Sequence, residues 1–174
     1  MMRRSTAGLP ANPMRLDRID HAILDHLQRE GRATSAEIAE VAGLSPSPAH
    51  RRQRLLEQGG IIRGYVALLD QDRVGLPINV FVSVRLSAQT EELLAGFEEA
   101  VTRLPEIMEC YMMSGTSDYL LRVVAPDLAA YQEFLRTKLV RIPGVRGVES
   151  AFALKRVVYR TNLPLRRITP PSRP

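Results

Sequence analysis

Ser45, Ser47, His50, Arg51, Arg52 and Arg54 fall within ten consecutive positions of the sequence. A guanidinium fork can grip the O6 and N7 acceptors of a guanine edge, or clamp a phosphate. Serine hydroxyls and the N–H groups of a helix's first turn can also bond phosphate. Such a cluster suits a polyanion with readable edges. Arginine clusters also occur on ordinary solvated helix faces, so charge alone leaves both readings open. The other reactive residue types are isolated. His21, His26 and His50 show no metal spacing: His21 and His26 stand five apart on one helix, about 140° from a shared face. Cys110 lies mid-strand and is expected in the core. No Gly-rich phosphate loop, nucleophile elbow or metal motif occurs, so neither catalytic residue, metal nor cofactor is expected.

The elements around the arginines give the cluster a context. Leu16, Ile19, Ile23 and Leu27 are spaced 3, 4 and 4, one face of a helix over about 17–30. Asp17 and Asp20 stand in its first turn and Gly31 follows its last. Thr34 and Glu37 spell a capping box for a second, short helix carrying Ile38, Ala39, Val41 and Ala42, stopped by Gly43. Ser45-Pro46-Ser47-Pro48 offers two starts for a third, which runs to about Gln58 before Gly59-Gly60. Counting from Ser35 in a unit of 20 residues, small Ala39 falls fifth and Gly43 ninth, where helix backbones must approach closely. Two short helices around a glycine turn, behind a third, make a helix-turn-helix unit whose last helix presents the arginines. Gln53 occupies a position of the third helix where an apolar residue is expected; it must reach solvent, bond a backbone group, or yield its packing to Leu55.

The second half alternates differently. Ile61 to Leu69 is β-rich and reads as a strand, with 70–77 as a junction broken by Gly75 and Pro77. Ile78, Val80, Val82, Val84 and Leu86 alternate strictly, the clearest strand in the chain. Thr90 caps a helix with the stripe Leu94, Phe97, Val101 and Leu104. Strands at 107–113 and 119–125 flank Ser114-Gly115-Thr116-Ser117-Asp118, a competent hairpin turn. Asp127 caps a helix bearing Leu128, Tyr131, Leu135 and Leu139, ended by Pro143-Gly144, and a last strand spans 148–159. The order βαββαβ is the ferredoxin-like arrangement, with both helices on one sheet face. The open face predicts a homodimer, to which the strand at 61–69 is expected to contribute.

Composition narrows the class. The chain has 174 residues, 45% hydrophobic and 25% charged, with a single cysteine, which excludes a disulfide scaffold and a mainly disordered chain. No apolar run reaches 18 residues and the basic N-terminus lacks an apolar segment, so a cytoplasmic protein without membrane contact is expected. Residues 1–77 carry a net +2, 78–154 a net −3 and 155–174 a net +6, which suggests two jobs with a polyanion near one end. The basic, Pro-rich tail 161–174 and the first 15 residues are expected to be extended or disordered.

The stretches LDRIDHAILDHLQREGR, LSPSPAHRR, GII followed by GY, SGTSDYLLRV and PGV, in that order, make the chain resemble the Lrp/AsnC (feast/famine) family over about residues 16–160. The resemblance implies an α+β chain: a winged helix-turn-helix DNA-binding domain with its linker strand over 16–77, then a ferredoxin-like effector-binding and oligomerisation domain of RAM type over 78–160. It implies dimers assembling further, commonly to octamers, and a small effector, usually an amino acid. Carried over by position, it places DNA contacts on Ser35, Ser45, Ser47, His50, Arg51, Arg52 and Arg54, and effector contacts on Gly115, Thr116, Ser117, Asp118 and Tyr119. Asp118 would accept an ammonium group, with backbone N–H groups near Gly115 binding a carboxylate. Two departures stand out: members often have an acidic residue where Thr116 stands, and an aliphatic one where Gln53 stands. The competing reading is an amino-acid-binding or enzyme-associated ferredoxin-like protein without a DNA role.

Overall fold

The computed structural model describes residues 16–165; the expected extension at 1–15 and the 166–174 part of the expected tail 161–174 lie outside the described residues, while 161–165 are described and Leu165 packs on the helical core. The chain divides into two compact units, one of residues up to 67 together with those from 158 onward, the other of 68–157. The expected layout ran contiguously with a junction at 77; here the first unit draws on both ends of the chain.

The first unit holds three helices: α1 (Arg18–Arg29), α2 (Ser35–Ala42) and α3 (Pro46–Gln58). Each start has a local cause. Asp17 caps α1 by accepting from the Ile19 and Asp20 N–H groups, and the Asp20 carboxylate reciprocates at the Asp17 N–H. Thr34 and Glu37 form the expected capping box on α2. Ser45 is the N-cap of α3 with Pro46 in the first turn, so the chain uses the first of its two possible starts. Gly43 closes α2 at φ 64°, a left-handed conformation that a side chain would disfavour. Ile23, Leu24 and Leu27 of α1, Ile38 and Ala39 of α2, and Ala49 and Leu56 of α3 make one buried cluster.

The expected strand at 61–69 is not formed. The Ile61 and Ile62 N–H groups both donate to the Leu56 carbonyl, at 3.0 and 3.1 Å, and so terminate α3. The remainder forms no regular element, and Val66, Leu68 and Leu69 are exposed. β-propensity without a neighbouring strand does not make a sheet.

The second unit is the expected βαββαβ: β1 (Ile78–Leu86), α4 (Glu91–Thr102), β2 (Ile107–Met112), β3 (Tyr119–Ala125), α5 (Leu128–Phe134) continued by a π-helical turn (Leu135–Leu139), and β4 (Val145–Phe152). The sheet is antiparallel in the order β2-β3-β1-β4. Val80, Val82 and Val84 face Phe97 and Val101 of α4 and Tyr131, Phe134 and Leu139 of the second helical segment. Each such valine contributes about 1.5–3 kcal/mol, so a one-residue slip that exposed all three is strongly disfavoured.

Three details differ from expectation. β4 starts at Val145 and ends at Phe152, where its ladder with β1 closes at Val80–Phe152 and a last bond from the Ala153 N–H to the Asn79 carbonyl at 2.9 Å. Leu128, one residue past the cap of α5, stays exposed and Phe134 takes a core position instead. Cys110 is exposed rather than buried, because β2 is an edge strand of the sheet. Partial desolvation, with Glu98 nearby, pushes its thiol up to about 11, so it remains a thiol near neutral pH.

Candidate functional site

On α3 the buried residues Ala49 and Leu56 turn inward, and Ser45, Ser47, His50, Arg51 and Arg54 are exposed, as is Ser35 at the start of α2. These residues form the polar, cationic surface of the helix-turn-helix.

Arg52 behaves differently from its neighbours. Its Nη1 lies 2.7 Å from Asp17 Oδ2 and 2.8 Å from Asp20 Oδ1, so the guanidinium ties α3 to the start of α1. Asp20 is buried and Arg52 only one-third exposed. Arg52 was expected on the DNA face; here a carboxylate pair takes up its charge, and it positions the helix that carries the other arginines. Desolvation alone would raise the Asp17 carboxyl; the Asp20 N–H and the Arg52 guanidinium outweigh it and hold it below its ordinary value.

Gln53 finds partners rather than a core site. Its Nε2 donates to Glu57 Oε1 at 3.1 Å and to Tyr65 Oη at 3.0 Å, and Tyr65 Oη donates to Glu57 Oε1 at 2.9 Å. Leu55 does not substitute for it, being 44% exposed. The amide instead ties α3 to the segment that leaves the bundle.

In the second unit the loop 114–118 is anchored by its last residue. The Asp118 carboxylate accepts from the Leu86 N–H at 2.7 Å and from Gln89 Nε2 at 2.6 Å; its own N–H donates to the Val84 carbonyl at 2.9 Å. Asp118 thereby fastens the hairpin to the end of β1. Beside this loop a hollow of about 60 Å³ is lined by Ser83, Arg85, Thr116, Ser117 and Glu149. Ser83 and Glu149 are cross-strand neighbours of β1 and β4, and Arg85 pairs with Gly147. A Cβ at Gly147 would lie 3.7 Å from the Arg85 guanidinium, in ordinary contact. The hollow therefore places one cation and one carboxylate beside three hydroxyls, on the sheet face away from the helices.

Of the expected effector residues, Thr116 and Ser117 line the hollow, and Gly115 and Asp118 belong to the same loop. Tyr119 does not join them. It is 1% exposed, its ring 4.6 Å from Phe97, and its hydroxyl donates to Glu98 Oε1 at 2.9 Å. The pleat alternates, so the residue after Asp118 turns to the helix side. Ser83, Arg85 and Glu149 were not singled out from the sequence. Their signal was weak: Ser83 and Arg85 are polar positions of an alternating strand, which usually mean only solvent.

An arginine-bearing helix-turn-helix followed by a four-stranded sheet unit with a polar hollow defines a DNA-binding regulator with a ligand-binding domain. Residues 16–63 match the model of winged helix-turn-helix DNA-binding domains and 79–163 that of the Lrp/AsnC ligand-binding domain. The Bkd operon transcriptional regulator of Pseudomonas aeruginosa is 50% identical over 86% of this chain and 98% of its own. The leucine-responsive regulatory protein of Escherichia coli is 39% identical over 85% and 90%. A transcriptional regulator of Neisseria meningitidis, solved as an L-Met complex, superposes with a TM-score of 0.82 at 37% identity, covering 86% of this chain and 97% of that one. The chain belongs to the Lrp/AsnC family of transcriptional regulators.

Proposed function

We propose that the N-terminal half of α3 reads DNA through His50, Arg51 and Arg54, with Ser35, Ser45 and Ser47 bonding phosphate, and that the hollow beside loop 114–118 takes the head group of an amino acid. The observation that carries the first part is the split of α3 into a buried side, Ala49 and Leu56, and an exposed cationic side. Arg52 holds this helix on α1 and contributes orientation.

For the effector, the hollow supplies opposite charges. Arg85 faces an α-carboxylate, Glu149 an α-ammonium, and the Thr116 and Ser117 hydroxyls complete the shell. The hollow, about 60 Å³, lies on the open sheet face. The side chain of the ligand then points outward along the open sheet face. Asp118 shapes the loop from beneath rather than binding the ammonium first.

The same open face carries Phe81 and Tyr111, 38% and 54% exposed. A second copy covering it makes a homodimer, which presents two α3 helices to successive turns of a palindromic site. Further assembly, commonly to octamers in this family, multiplies weak half-site contacts. A ligand favouring one assembly shifts DNA affinity by its differential binding. The protein acts in the cytoplasm and catalyses no reaction in this scheme. A thermal-shift screen of the twenty amino acids, followed by gel shift of the protein's own upstream region with and without the hit, tests both parts. Saturable binding without turnover and a changed shift are expected; turnover of the hit, or no DNA binding, would reject the scheme.

A further inference from the structure

Residues from 158 onward return to the helical unit after the sheet unit is complete. Leu163 is a point of attachment. Its N–H donates to Gln28 Oε1 at 2.6 Å, and Gln28 Nε2 donates to its carbonyl at 3.3 Å. A side-chain amide thus pairs with a residue's backbone in both directions, as a neighbouring strand would. The pairing reads backbone; the Leu163 side chain itself is 71% exposed. Two residues on, Leu165 packs against the helical core along with Leu16 and Ile19. Pro164, between them, has no N–H to leave unpaired and steers Leu163 toward an extended conformation. Gln28 lies on α1, the helix whose Asp17 and Asp20 hold Arg52 of α3.

We propose that residues 158–165 form a strap that seats on α1 through Gln28 and Leu165 and so steadies the scaffold of α3. The consequence for DNA rests on α3 being the reading helix; the strap itself does not. Because the strap continues from β4, the sheet unit is joined to the helices by two covalent paths, at 67/68 and at 157/158. A shift at β4 then reaches the helices without passing through the segment that follows α3.

The test uses the full-length chain carrying Gln28→Ala or, separately, Leu165→Ala. Native-state hydrogen exchange is read amide by amide, with gel-shift affinity for the protein's own upstream DNA alongside. Removing either anchor is expected to lower α1 protection about five- to thirtyfold, leaving β1 and β3 protection unchanged, and to weaken DNA binding. Unchanged α1 protection in both variants overturns the strap, as does an equal loss across β1 and β3. Lower α1 protection with unaltered DNA affinity overturns its link to α3. If the wild-type protein fails to bind DNA, the reading of α3 falls, and α1 protection still decides the strap.

Discussion

Arg52 and Arg54 stand two residues apart on one helix, and their surroundings assign them opposite work. Arg52 is held by two carboxylates, one of them buried, and hydrogen bonds to charged partners contribute about 1.5–3 kcal/mol each when well shielded, less when partly wet. Arg52→Ala is therefore expected to destabilise the helical unit by about 1–3 kcal/mol, seen as a lower Tm, because it leaves the buried Asp20 carboxylate with only the Asp17 N–H. Arg54→Ala should leave stability within about 0.5 kcal/mol and reduce the salt slope of DNA binding by about one, measured by gel shift across salt concentrations. A similar contrast applies around the hollow. Asp118→Ala strands the Leu86 N–H and should cost about 1–3 kcal/mol along with any effector response. Arg85→Ala and Glu149→Ala remove exposed side chains and should abolish the ligand-induced thermal shift without moving the Tm of the free protein.

At the scale of elements, the start of α1 carries a pH dependence. The folded Asp17 pKa is depressed, so the stability it supplies is fully present above its unfolded value near 3.8 and is lost as pH falls through the folded value. The helical unit is expected to lose Tm steeply below about pH 4, and Asp17→Asn should flatten that acid limb. The turn between α2 and α3 is equally specific. At Gly43 a Cβ would meet nothing within 4 Å, so Gly43→Ala should cost only the left-handed backbone penalty, about 1–2 kcal/mol by denaturant titration. Gly144 combines φ 87° with a Cβ that would fall 2.9 Å from Leu93, and alanine there must also displace that side chain.

For the whole molecule, Phe81 and Tyr111 on the open sheet face decide assembly in the proposed scheme. Phe81→Asp is expected to shift the sedimentation profile toward monomer and to weaken DNA binding well beyond the loss of one contact, because two half-sites are no longer gripped together. Unchanged sedimentation and affinity would place the dimer elsewhere. Val66, Leu68 and Leu69 before the sheet unit in sequence, and Leu154, Val157 and Val158 near its end, are exposed apolar side chains.

Much of this was legible in residue order. Caps such as Thr34 with Glu37, the stop at Gly43 and the alternation of Val80, Val82 and Val84 are local, and local chemistry is written in adjacent residues. The family followed from the same stretches. Where a side chain points once elements pack was not legible: Arg52 turned from solvent to Asp17 and Asp20, Tyr119 turned into the core, and Gln53 met Tyr65. Nor could spacing show that Ser83, Arg85 and Glu149 share a hollow with Thr116, or that Leu163 returns to Gln28, 135 residues away. Order along the chain determines which turns and periodic faces form, because those energies act over a few bonds; only packing brings distant polar groups within hydrogen-bonding range and so decides which charges are spent inside the molecule and which remain for a partner.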